Sequence, residues 1–135
     1  MIVRLIAVGL AFAASSAHAT NSIDVKRGPD STVFGNCVPS LAVDNRTPET
    51  IDYLQVDIVV ALSDGQERTI ELKSAYREGV HYPILPGGTA ILRQHLDTSK
   101  ALGAGCDDVK TRRVERTICE VVGGRACSSS VLVQP

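Results

Sequence analysis

The sequence has no tryptophan, and aromatic residues make up only 4% of it. Proteins that bind sugars or single-stranded nucleic acids stack these ligands on aromatic side chains, so the shortage argues against both. The 14 basic and 15 acidic residues give a formal net charge of −1. Without a basic excess the chain has no electrostatic attraction for a nucleic-acid backbone or an anionic membrane. We therefore expect neither nucleic-acid binding nor membrane insertion.

Histidine is also scarce, and no nucleophile motif accompanies it. A hydrolytic site needs a nucleophile, a base and an orienting acid within reach of one another. The sequence contains no Gly-x-Ser-x-Gly elbow, and only His81 and His95 lie in the larger part of the chain that follows residue 19. The sequence thus predicts no enzymatic activity and no cofactor. The alternative is a periplasmic metal-binding or enzymatic accessory protein that uses His81 and His95.

No apolar run is long enough to span a membrane, but a shorter one opens the chain. Arg4 is followed by the apolar residues Leu5–Ala14 and then by Ala17-His18-Ala19, the small-x-small pattern that signal peptidase cleaves. A membrane helix needs about 20 apolar residues, and about ten are present here. Residues 1–19 are therefore predicted to be a signal peptide cleaved after Ala19, and residues 20–135 a periplasmic or secreted domain.

Four cysteines lie in the exported part of the chain, at positions 37, 106, 119 and 127. An even number of cysteines in an oxidising compartment indicates two disulfides. No pair has the Cys-x-x-Cys spacing of a structural zinc site, so no metal is expected. The predicted disulfide cysteines are therefore Cys37, Cys106, Cys119 and Cys127.

The exported chain has the periodicity of β-strands throughout. Apolar residues alternate from Leu54 to Leu62, which places Gln55 and Asp57 on a solvent-facing side, and Asp64-Gly65 turns the chain into a returning strand. No stretch has a persuasive helical period. About seven strands separated by turn signals predict a single all-β domain, a β-sandwich, in residues 20–135. The other predicted strands are Ser31–Val43, Arg68–Lys73, Thr89–Leu96, Val109–Val122 and Ala126–Val133.

Four cysteines allow three pairings. A three-residue loop at 122–124 would place Cys119 opposite Cys127, whereas a two-residue loop would place Cys119 opposite Ser128. Cys106 precedes the penultimate strand, at the end of the sandwich where the strand with Cys37 begins. This arrangement favours the pairs Cys37–Cys106 and Cys119–Cys127.

Positive charge is concentrated on the penultimate strand. Lys110, Arg112 and Arg116 share one strand parity, and Tyr53 lies on the solvent-facing side of its own strand. These four residues form the candidate interaction surface for an acidic protein partner, with Tyr53 as a contact anchor. The alternative interpretation is that the charges keep a free sheet edge from pairing with other chains.

A family resemblance is carried by the Asp64-Gly65 turn and by the segments Asp44–Thr47, Ile51–Val56, Tyr76–Gly79 and Pro83–Gly88. These segments resemble those of exported bacterial fibronectin-III-like sandwiches. The size, the signal peptide and the layout of four cysteines are similar to those of the interleukin receptor mimic protein A family. The resemblance implies a fibronectin-III-like or immunoglobulin-like fold and a binding or assembly role through protein-protein recognition. It also implies a homodimer that exchanges strands, for which residues 82–88 are the predicted hinge.

Overall fold

The computed structural model describes residues 21–74, 82–96 and 100–135. The predicted signal peptide, residues 1–19, and His81 lie outside the described residues. Within the described residues, no helix is both long and apolar enough to cross a bilayer. The strands are β1 (Ser22–Arg27), β2 (Ser31–Val33), β3 (Asn36–Val38), β4 (Ser40–Asn45), β5 (Ile51–Leu62), β6 (Glu67–Lys73), β7 (Thr89–Arg93), β8 (Val109–Val121) and β9 (Ser130–Gln134), with a 3₁₀ turn at Cys106–Asp108.

Seven of these strands form a sheet in the order β8-β5-β6-β7-β4-β1-β9, and β2 pairs with β3. Strands β6 and β7 share a single register pair, Lys73 with Arg93, so the sheet folds there into two layers. One layer is β8-β5-β6 and the other is β7-β4-β1-β9, with the core between them. The predicted all-β sandwich with two disulfides is confirmed.

Strand β5 forms the centre of the three-stranded layer. Its inward residues Leu54, Val56 and Ile58 are fully buried, as the alternating pattern predicts. The prediction that Gln55 and Asp57 face solvent is wrong, because they are 5% and 6% exposed. Side chains of the flanking strands β6 and β8 cover this outer side of β5.

The predicted strand Ser31–Val43 is also wrong, because the chain turns twice within it. Phe34 and Gly35 form a two-residue turn between β2 and β3, with φ of 48° and 75°. Positive φ at both central residues is the geometry of a tight hairpin turn, and glycine adopts it without steric cost. Pro39, which lacks a backbone donor, then separates β3 from β4.

The turn after β8 has the predicted three-residue loop. The Val121 amide donates to the Arg125 carbonyl at 2.8 Å, and the Cys127 amide donates to the Cys119 carbonyl at 3.0 Å. The prediction of a full hairpin between the last two strands is nevertheless wrong. After Cys127 the chain crosses to the other layer, where β9 runs parallel to β1 and pairs with it.

Asn45 is a fully buried polar side chain that holds two connections together. Its amide donates to the carbonyls of Glu49, Ile84 and Leu85 at 2.8 to 3.1 Å. Its carbonyl oxygen accepts from both the amide and the hydroxyl of Thr47. Asn45 thus fixes the loop before β5 and part of the predicted hinge, residues 82–88, against the end of β4.

Replacing Asn45 by alanine should lower the free energy of unfolding by about 3 kcal/mol, because it leaves several buried backbone groups without a partner. Urea unfolding followed by circular dichroism measures the loss. Asp44→Ala is the matched control, since Asp44 is exposed on the same strand; it should change stability by less than about 0.5 kcal/mol. Equal stability of the two variants would contradict the role given to Asn45.

The two disulfides close loops of very different length. Cys37–Cys106 joins residues 69 positions apart, and Cys119–Cys127 joins residues 8 positions apart. Chain-entropy estimates assign about 4 kcal/mol to the longer loop and about 2.5 kcal/mol to the shorter one.

Removing the long-range disulfide as a Cys37→Ser, Cys106→Ser double variant should therefore destabilise the domain by about 1.5 kcal/mol more than the Cys119→Ser, Cys127→Ser double variant. Both are compared by urea unfolding with the disulfide-intact chain. A larger loss in the second variant would contradict this ranking.

Candidate interaction surfaces

The structure separates the basic residues that share parity in the sequence. A register shift in β8 lies between Arg116, which pairs with Asp57, and Val114, which pairs with Ile58. The extra residue reverses the inside-outside alternation, so Arg112 lies opposite the core residue Val60. The prediction that Lys110, Arg112 and Arg116 share one face is wrong. Lys110 is exposed, next to a second irregularity of the same strand.

Tyr53 and Arg116 do lie on one face, at the two ends of a chain of polar contacts along β5. The Tyr53 hydroxyl donates to Gln55, and Gln55 donates to Asp57 at 2.7 Å. Arg116 Nε donates to the other oxygen of Asp57 at 3.0 Å. Burial raises the pKa of the Tyr53 hydroxyl above its ordinary value. Tyr53 is half-buried within this network, and its hydroxyl donates its hydrogen bond to a side chain of the same strand.

Arg112 has a structural partner, Asp30, in the segment before β2. Its two terminal nitrogens bind the two oxygens of Asp30 at 3.0 and 2.8 Å, and only 5% of its side chain is exposed. Arg27 adds a further ion pair at 2.8 Å. Burial alone would raise the pKa of Asp30, but the hydrogen bonds from Arg112 and Arg27 outweigh it and hold the pKa below its usual value.

The Asp30–Arg112 pair lies beside the long-range disulfide. One carboxylate oxygen of Asp30 and the sulfurs of Cys37 and Cys106 all lie within 4.8 Å of one another. Three such atoms can hold a metal ion, but here the two sulfurs are bonded to each other and supply no thiolate. This cluster therefore acts as a covalent and ionic anchor. His95 is buried, and His81 lies outside the described residues, so the predicted alternative of a site that uses both histidines stays a prediction.

The anchor supports the β2–β3 hairpin from several sides. The Cys37 amide donates to the Ala104 carbonyl at 2.7 Å, and the Gly103 amide donates to the Asn36 side chain at 3.0 Å. The amide of the Asn36 side chain also donates to the Phe34 carbonyl within the turn. Strand β3 is thus joined to the loop before β8 through Asn36, beside the turn, and Cys37, while Phe34 extends into solvent.

Phe34 occupies this tip and is 99% exposed. Its φ of 48° lies in the left-handed region, which costs a residue with a Cβ about 1 to 2 kcal/mol. A bulky residue in this region is an outlier, and such strain concentrates at functional sites. Sequence reasoning missed Phe34 because it placed the residue inside a continuous strand. The succession Phe34-Gly35-Asn36 was the available turn signal.

Acid should weaken the anchor. A carboxylate whose pKa is lowered by folding stabilises the protein above its unfolded pKa of about 4, and this stabilisation is lost as the pH falls through the folded value. Asp30→Asn should therefore lose less stability than the unsubstituted chain between pH 6 and pH 2.5, as measured by urea unfolding. Asp44→Asn is the control, since Asp44 is exposed and takes part in none of the ion pairs found in the described part of the chain. An unchanged acid response in Asp30→Asn would contradict the assignment.

Comparison with known proteins finds a structural likeness but no match of sequence. No family model matches the chain, and no curated protein matches it. Among solved structures, the chain is similar to IrmA from Escherichia coli, with 15% sequence identity over 84% of this chain and 91% of that one. The TM-score is 0.55. This likeness shows that the two chains share a fold.

Proposed function

We propose that this chain is an exported, non-enzymatic binding module that recognises a protein partner with the tip of its β2–β3 hairpin. The observation that carries the proposal is Phe34, an almost fully exposed aromatic side chain held in a strained backbone conformation. Aromatic residues dominate the binding energy of protein interfaces, where they fill apolar pockets of the partner. Val33 beside it is also exposed and enlarges the apolar tip.

The surroundings of the tip favour a protein over a membrane as partner. Stable attachment to a bilayer needs several apolar anchors or an anchor with a basic patch. In the hairpin and the segment before it, Arg27 and Asp30 pair with each other, and no basic side chain accompanies Phe34 in β2 or β3. A single aromatic residue at a neutral tip suits an apolar pocket on another protein.

The anchoring of the hairpin supports the same proposal. A contact residue on a rigid element loses little conformational freedom on binding, so more of its contact energy contributes to affinity. The Cys37–Cys106 bond and the Asp30–Arg112 pair hold both strands of the hairpin, while the tip bears the exposed side chain. The hairpin is thereby preorganised for a contact made by Phe34.

Export is supported by the two disulfides, which are typical of proteins in an oxidising compartment such as the periplasm or the medium. The receptor-mimic role implied by the resemblance is a narrower form of the proposal, supported by the fold shared with IrmA. The strand-exchanged homodimer stays a separate prediction. Its hinge would have to break the contacts of Ile84 with Asn45 and Ile51.

Phe34→Asn should raise the free energy of unfolding by about 1 kcal/mol, because asparagine tolerates the left-handed region and Asn-Gly is the preferred pair for this turn. Urea unfolding measures the gain. Phe34→Tyr is the matched control, since it keeps both the ring and the strain. A lower stability of Phe34→Asn than of Phe34→Tyr would show that Phe34 packs against its own domain.

The functional experiment uses the same two variants as baits in affinity capture from the native envelope and medium, with partners identified by mass spectrometry. A partner retained by the unsubstituted chain and by Phe34→Tyr, and lost at least tenfold by Phe34→Asn, supports recognition through the tip. A partner captured equally by all three baits would place the contact elsewhere. A purified cytokine panel tests the narrower receptor-mimic form.

A further inference from the structure

The two disulfides differ in how easily a reagent in solution reaches them. Cys37 is 0% exposed and belongs to the hydrophobic core. At the other end of the same bond, the Ser31 carbonyl oxygen lies 3.7 Å from the Cys106 sulfur, and a carboxylate oxygen of Asp30 lies within 4.8 Å of both sulfurs. A thiolate that attacks this bond has to displace these neighbours or wait for local unfolding. The surroundings of the Cys37–Cys106 bond therefore protect it from reduction.

The Cys119–Cys127 bond lies at the surface, on the flank between β8 and β9. Both cysteines are only partly buried, and both line a groove of about 510 Å³. The part of the groove wall that belongs to the chain around Cys127 consists of the small residues Gly124, Ala126 and Ser129. The rate of thiol-disulfide exchange depends on access to a sulfur atom, and exposed disulfides are the labile ones. We therefore expect this bond to react before the other.

The same bond secures the segment that crosses from one layer to the other. Cys119 lies near the end of β8, and Cys127 shortly precedes β9. Strand β9 has five residues, and β1 is its one neighbour among the described strands. Its inward residues Val131 and Val133 are only partly buried. A short edge strand with little buried surface opens easily, so the disulfide contributes much of the attachment of β9.

We propose that Cys119–Cys127 is a thiol-exchange site for a dithiol, and that its reduction releases β9 while Cys37–Cys106 stays intact. A thiolate of the dithiol attacks the Cys127 sulfur, the bond between the two cysteines breaks, and Cys119 leaves as a thiolate that takes up a proton. The second thiolate of the dithiol attacks the mixed disulfide and releases Cys127, which is protonated in turn. The dithiol is thereby oxidised to a disulfide, and the two electrons and two protons that it loses are gained by this chain.

The change is confined to one flank of the sandwich. Release of β9 uncovers the edge of β1 and the side of the core on which Val131 and Val133 pack. The β2–β3 hairpin is unaffected, because its anchor consists of the other disulfide and the Asp30–Arg112 pair. Reduction therefore alters the β9 flank and leaves the Phe34 tip as it is.

Dithiothreitol, a small dithiol, tests the order of reduction on the folded, unsubstituted chain. Free thiols are trapped with N-ethylmaleimide at successive times and located by peptide mapping with mass spectrometry. Cys119 and Cys127 should be trapped at least tenfold faster than Cys37 and Cys106. The control is the same reaction in concentrated urea, where the difference should disappear because unfolding exposes both bonds. Equal rates in the folded chain, or faster reduction of Cys37–Cys106, would overturn the proposal.

Hydrogen exchange tests the release of β9, with β5 of the same chain as internal reference. Selective reduction should speed exchange of the β9 amides at least tenfold and leave β5 unchanged. The Cys119→Ser, Cys127→Ser double variant should reproduce this local effect. The matched Cys37→Ser, Cys106→Ser double variant should affect β9 and β5 alike.

If a variant does not fold, the oxidised and reduced forms of the unsubstituted chain decide the question. Protection of β9 that survives reduction, or a loss of protection shared equally by β5, would overturn the proposal. The Phe34 tip lies outside this site, so none of these outcomes bears on the function proposed above.

Discussion

The covalent and ionic anchor that fixes the β2–β3 hairpin to β8 determines how the hairpin and its exposed tip are held. Cys37–Cys106 links β3 to the turn before β8, and the Asp30–Arg112 pair links the segment before β2 to β8 itself. A nearly buried arginine needs such a partner, because an unpaired buried charge is strongly destabilising. The disulfide and the ion pair together hold the small β2–β3 hairpin. This hairpin has almost no core of its own, since all three residues of β2 are exposed.

The bulge in β8 makes this anchor possible, because it places the arginines of the strand on opposite faces. Because the register shifts between Arg116 and Val114, Arg112 turns to the core side and reaches Asp30, while Arg116 stays outside and binds Asp57. A regular strand would place both arginines on the same face. One inserted residue thus allows β8 both to anchor the hairpin and to support the polar outer face of β5.

Features set by local sequence could be predicted, and features set by distant contacts could not. The β5–β6 hairpin follows from alternation and an Asp-Gly turn, and both disulfide pairs follow from the order of the strands. The parallel pairing of β9 with β1 depends on the packing of the two layers, which no local pattern records. The parity of the sequence placed Arg112 on the same face as Arg116, but the bulge at Glu115 turns Arg112 to the opposite face. The exposure of Phe34 followed from a turn hidden inside an apparently continuous strand.

Recognition through the hairpin tip, as proposed, requires that this part of the surface contacts a partner. Site-specific photo-crosslinking tests it most directly, with benzoylphenylalanine placed at Phe34 or, as control, at Val122, which is also exposed but lies in the turn after β8. Irradiation in the native envelope and medium should yield one dominant adduct from position 34 and little of it from position 122. The same adduct in equal yield from both positions, or no adduct from position 34, would show that the tip does not contact the partner.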